Sequence, residues 1–189
     1  NYPENTVKPI HVVSTGEEVE LFLNGKSLGK GKRQYNFLFT FDNATFKPGK
    51  LEAVSYNQTG KEISRYAIHT AGEPAKLKLT AIQNPEGFHA DGADMALIQV
   101  EVVDKDGKRC PLDNRTVQFT LNGQAEWRGG IAQGENNHIL DTKLPVECGI
   151  NRALIRSTTT AGKVTLTAQA KGLPAATLTL ETVPVKVTE

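Results

Sequence analysis

The sequence predicts an all-β protein built as two tandem β-sandwich domains, and three observations carry that prediction. Nearly every periodic segment alternates apolar and polar residues with period two. None sustains apolar residues at i, i+3, i+4 and i+7 for the length of an ordinary helix. Turn signals recur between these segments at spacings suited to a sandwich. Apolar residues make up 38% of the 189 residues and aromatics 6%, which suits two modest cores better than one thick one.

In the first part, strands are expected near Ile10–Ser14, Glu18–Asn24, Lys26–Arg33, Asn36–Phe41, Lys50–Asn57 and Lys61–Thr70. Asn24-Gly25 between two alternating segments is the strongest hairpin signal, because a type I′ turn needs positive φ at both central residues. That turn pairs Leu23 with Lys26, Phe22 with Ser27 and Leu21 with Leu28. Val19, Leu21, Leu23 and Leu28 then share one face, as a half-buried sheet requires. Pro48-Gly49 and Asn57-Gln58-Thr59-Gly60 mark the later turns.

The alternation breaks at Thr70-Ala71-Gly72-Glu73-Pro74-Ala75 and restarts at Lys76-Leu77-Lys78-Leu79, the best candidate for a domain boundary. The expected domains are residues 1–72 and 73–189. In the second, Ile98, Val100 and Val102 alternate with polar residues, as do Val117, Phe119 and Leu121, then Val164, Leu166 and Ala168, then Leu178 and Leu180. Turns are expected at Asp104–Gly107, Asn122-Gly123, Ala161-Gly162 and Gly172–Pro174. Between Trp127 and Cys148 the pattern fails. Arg128-Gly129-Gly130 and Gly134-Glu135-Asn136-Asn137 suggest a long excursion there, either functional or a decorated edge.

Charge is nearly balanced, with 22 basic and 21 acidic residues, so no net field recommends a nucleic acid or an anionic membrane as partner. No apolar run approaches the roughly 18 residues of a membrane span. The start, Asn1-Tyr2-Pro3-Glu4, has neither an initiator Met nor a signal peptide, which is the pattern of a piece of something longer. Cys110 and Cys148 are too few for a disulfide framework and lack zinc-site spacing. One bridge or two idle thiols both remain open.

Six stretches taken together are similar to one known family. They are Val19–Gly29, Thr70–Ala75, Ala90-Asp91-Gly92 with Val100–Asp104, Trp127–Gly130, and Gly149–Thr158. In this order they resemble the C-terminal region of bacterial glycoside hydrolase family 2 β-galactosidases. The resemblance implies a small immunoglobulin-like domain that follows a catalytic barrel, then a bacterial immunoglobulin-like domain similar to those of invasin and intimin. It implies that the paired catalytic glutamates and the sugar pocket lie in the barrel, and that the location is periplasmic or extracellular. The implied role is to support the barrel, shape the active-site rim or help assemble a homodimer. The catalytic domain of the same chain is then the partner.

Residue by residue, little chemistry is expected within this chain. A retaining glycosidase needs two carboxylates about 5 Å apart, and no pattern here pairs the acids. Glu17, Glu18 and Glu20 read as a solvated strand face, so no catalytic residue is assigned. Gly25-Lys26-Ser27 ends like a phosphate loop, but Glu20 stands where the first glycine belongs and a strand follows. Lys26, Lys30, Lys32 and Arg33 beside Tyr35 read as edge-strand charges rather than a nucleic-acid patch. Asp104–Gly107 begins like a calcium loop, yet Lys108 occupies the next ligand position. His11, His69, His89 and His138 have no metal or triad spacing, so neither metal nor cofactor is expected.

Trp127, with Arg128 beside it, is the one candidate for ligand contact. It either stacks on a sugar face or neighbouring domain, or plugs a sandwich end. Two further function classes stand beside the glycosidase part: a carbohydrate-binding accessory module using Trp127 and Arg128, and an adhesin-like stalk without an enzyme.

Overall fold

The computed structural model describes residues 1–133 and 135–185, and every element in it is a strand. Gly134 of the Gly134–Asn137 turn signal and residues 186–189 lie outside the described residues. The chain forms two units, Asn1–Thr70 and Ala71–Glu189. Ala71 and Gly72 fall in the second: Ala71 joins its core, and the Gly72 N–H donates to the Asp104 carboxylate at 2.8 Å.

The first unit packs two antiparallel sheets. One has the order β1 (Val7–Val13), β5 (Leu38–Thr45), β4 (Lys32–Tyr35); the other runs β3 (Lys26–Lys30), β2 (Glu18–Leu23), β6 (Lys50–Tyr56), β7 (Glu62–His69). Pro9, which has no N–H for the ladder, sits where the β1–β5 register slips between Lys8 and Ile10. Val19, Leu21, Phe39 and Phe41 form the buried centre, with Ile10, Val12, Leu51 and Ala53 packed around them. Each such side chain, when fully buried, contributes about 1.5–3 kcal/mol.

The Asn24-Gly25 turn has φ of 52° and 80°, and pairs Leu23 with Lys26 and Phe22 with Ser27. Beyond that point the expected register fails. Leu21 pairs with Gly29, because Leu28 is the extra residue of a bulge. The Ser27 hydroxyl holds the bulge, accepting from the Gly29 N–H and donating to Glu20. Leu28 is exposed, although it lines the same hollow as Leu23.

The single strand expected over Lys26–Arg33 is two strands in different sheets. The chain crosses at Gly31, whose N–H donates to the Val19 carbonyl. A Cβ there would lie 2.7 Å from the Phe41 ring and 3.1 Å from Phe39 Cβ. Only glycine allows the strand to cross that close to the core.

The second unit is a larger sandwich. One sheet runs β13 (Asn136–Ile139), β12 (Ala125–Gln133), β15 (Ile150–Ser157), β10 (Met95–Val103), β8 (Lys76–Ile82). The facing sheet runs β14 (Lys143–Pro145), β11 (Thr116–Gly123), β16 (Gly162–Ala170), β17 (Ala176–Val183), β9 (Phe88–His89). Ala96, Ile98, Val100 and Val102 of β10 point inward, against Val117 and Phe119 of β11 and Val164, Leu166 and Ala168 of β16. This is the alternation the sequence displays.

Asn122-Gly123 is not a turn. Both residues still pair with β16, opposite Thr165 and Val164, and the chain leaves for the facing sheet at Gln124. Nor is the stretch from Trp127 to Cys148 an open loop. It holds most of β12 and two edge strands, β13 in one sheet and β14 in the other.

Candidate functional site

Trp127 lies on β12 at the point where the strand departs from regular pairing. Trp127 opposes Ile155 and Gly129 opposes Leu154, so Arg128 is the extra residue of a bulge. The Arg128 carbonyl accepts from the Leu140 N–H at 3.0 Å, tying the bulge to the segment after β13. Gly129 follows at φ 83°, and a Cβ there would lie 2.4 Å from the Leu140 nitrogen and 2.5 Å from the His138 carbonyl oxygen. Two backbones cross here at a distance that excludes any side chain.

The half-buried indole of Trp127 stacks on Phe119, with centroids 5.3 Å apart and planes inclined by 29°. Its Nε1–H donates to the Asp141 carbonyl at 3.0 Å. The Asp141 side chain accepts from the Lys143 N–H at 2.9 Å and lies 3.3 Å from His138 Nδ1. The Lys143 bond first, and His138 second, hold its carboxyl below the usual carboxylate range. One ring face and the single donor of Trp127 are thus engaged inside the domain. Trp127 and Arg128 sit where β12 is bulged and tied to the segment after β13.

The other candidates are dispersed. On the first unit, Glu17 pairs with Arg33 at 2.8 Å, Glu18 with Lys30 at 2.5 Å, and Glu20 accepts from Ser27. Two of the three glutamates thus pair with cations of the basic run. The buried Asp104 carboxylate accepts from the N–H groups of Gly72, Asp106 and Lys108 at 2.8–2.9 Å. These bonds, Gly72 foremost, pull its pKa down and close the Asp104–Gly107 turn. Cys110 is buried and Cys148 exposed, and both are free thiols. Burial pushes the Cys110 thiol up, leaving it a poor nucleophile.

A hollow of about 370 Å³ in the first unit, lined by Ile10, Leu23, Leu28, Leu51 and Ile68 with His11 and His69, was not foreseeable from the sequence. It is largely apolar. Among the described residues there is no group of three or more His, Cys, Asp or Glu side chains placed to hold a metal, and no helix long and apolar enough to cross a membrane.

Fold and site together define a tandem β-sandwich module whose aromatic and charged side chains mostly serve its own scaffold. The chain belongs to glycoside hydrolase family 2, and within it to the non-catalytic C-terminal domains. Residues 77–179 match glycoside hydrolase family 2 C-terminal domain 5, and residues 5–64 match a domain of unknown function (DUF4982).

A β-glucuronidase of Formosa agariphila is 41% identical over 98% of this chain and 19% of its own length. A β-galactosidase of Bacteroides ovatus is 33% identical over 86% of this chain and 19% of its own. Among solved structures, a family 2 β-glucuronidase superposes with a TM-score of 0.92 at 40% identity, covering all of this chain and 20% of that one. A family 2 member from Bacteroides cellulosilyticus gives 0.86 at 33% identity, covering 95% of this chain and 25% of its own. The chain spans about a fifth of the length of the curated relatives it matches.

Proposed function

We propose that this chain is the C-terminal sandwich pair of a bacterial family 2 β-glycosidase, and that it supports the catalytic barrel without contributing a reacting group. The observation that carries this reading is the identity of 41% to a β-glucuronidase across nearly the whole chain, confined to a fifth of that protein. The arrangement of the acids is consistent with it. Glu17, Glu18 and Glu20 face basic or hydroxyl partners, and Asp104 closes a turn. None stands as one of the paired acid and nucleophile carboxylates that a retaining glycosidase requires.

The relatives divide between β-glucuronidases and β-galactosidases. The groups that read a sugar carboxylate against a hydroxymethyl belong, in this reading, to the barrel. The enzyme works in the periplasm or outside the cell, an inference that rests on the family resemblance. Purified full-length parent protein, assayed on aryl β-glucuronide and aryl β-galactoside, is expected to hydrolyse one of the two. Failure on a panel of aryl β-glycosides would overturn the assignment of the parent.

A further inference from the structure

The tip of the β4–β5 hairpin carries the most exposed aromatic cluster of the first unit. Tyr35 is 74% exposed and Phe37 55%, beside Val13 at 77% and Tyr66 at 74%. They form one surface. Val13 and Phe37 line a hollow with Tyr35, and also line a second hollow with Tyr66.

The tip is held in place by the fold. The Ser14 N–H donates to the Phe37 carbonyl at 2.9 Å, and the Arg33 guanidinium donates to the Asn36 carbonyl at 2.8 Å and pairs with Glu17. Ordered aromatic side chains left in water are uncommon on a monomer. The three rings and Val13 present on the order of 500 Å² of surface, near the upper end of the largest patch a typical monomer leaves open. That area is more than half of the roughly 800 Å² that each partner of a stable interface buries. Gln34, Asn36, Ser14 and Ser64 surround it, giving the apolar centre and polar rim of an interface.

The neighbouring cations are already neutralised, Arg33 by Glu17 and Arg65 by Glu62 and Glu52. The face therefore recruits its occupant by apolar complementarity rather than by charge. The relatives carry about four fifths of their length beyond the matched segment. A body tethered in the same polypeptide meets this face at a high effective concentration, which a second copy in dilute solution does not match.

We propose that the face formed by Val13, Tyr35, Phe37 and Tyr66 is the seat on which the catalytic domain of the same polypeptide rests. The inference builds on the glycosidase reading above. Hydroxyl-radical footprinting of the full-length parent tests it, at a concentration where sedimentation velocity shows a monomer. After correction for intrinsic reactivity, Tyr35, Phe37 and Tyr66 are expected to react at least fivefold more slowly than Leu112, a 67% exposed residue of the second unit. Rates equal to that of Leu112 would overturn the proposal. So would protection that appears only when the protein self-associates or when an oligosaccharide is added. Aryl-glycoside turnover measured on the same preparation separates the two readings. Turnover with unprotected rings removes the seat and leaves the glycosidase; protection without turnover removes the catalytic domain as occupant.

Discussion

The indole of Trp127 lies against the ring of Phe119, 5.3 Å between centroids, and joins β12 to the facing sheet through β11. The same indole anchors the Asp141 carbonyl, so one side chain links two strands and the turn after β13.

Truncating that ring removes the stack and the bond together. Trp127→Ala is expected to destabilise the second unit by about 3 kcal/mol, the lower end of the aromatic range because the ring is half-buried. Trp127→Phe keeps most of the stacking and loses the donor, at about 1 kcal/mol. Urea unfolding followed by circular dichroism measures both; unchanged midpoints would show that the indole has no scaffolding role.

Gly129 makes a second, independent test of this corner. Gly129→Ala must hold a Cβ at positive φ against two backbone atoms closer than 2.6 Å, at a cost of about 2–3 kcal/mol. Gly172→Ala, at φ 79° with open space around it, bears only the conformational part, about 1–2 kcal/mol. Equal losses in thermal unfolding would mean that the strand crossing relaxes freely.

Asp104 predicts a pH dependence. Its carboxyl is held low by three backbone donors, so its stabilising contribution is present above the unfolded value of about 3.9 and is lost as pH falls through the lower folded value. Asp104→Asn should lower the melting temperature at pH 7 and narrow its gap from the wild type below pH 4. A gap that widens with acidification would contradict this sign.

The two thiols should differ sharply. In the native chain one equivalent, Cys148, reacts with Ellman's reagent, and the second, Cys110, appears only in denaturant. Silence of both thiols in denaturant without reductant would indicate a bridge.

Much of this architecture can be read from residue patterns. The β10, β11 and β16 cores follow period-two alternation because each strand buries one face, and Asn24-Gly25 marks its turn because both residues adopt positive φ. What eludes the pattern is where a strand changes sheets. Lys26–Arg33 is a polar, glycine-containing run with Leu28 its one large apolar residue, so no change of period marks Gly31 as the point where the chain crosses to the other sheet. Bulges mislead in the same way. Leu28 and Arg128 each add a residue that shifts every later pairing, which is why Leu21 meets Gly29 and why β12 reads as irregular.

The candidate site was legible as a location and not as a role. Trp127 is the sole tryptophan and opens the irregular stretch, but its stacking on Phe119 and its bond to Asp141 depend on contacts between facing sheets, which no local spacing encodes. The exposed cluster of Val13, Tyr35, Phe37 and Tyr66 has the same origin: three strands distant in sequence bring it together.

The most direct test of the central claim is steady-state turnover by the 189-residue chain alone on aryl β-glucuronide and aryl β-galactoside, beside the full-length parent at equal molarity. The account predicts hydrolysis by the parent and none above the buffer rate by the chain. Hydrolysis by the purified chain, abolished by substituting one of its own carboxylates, would contradict it.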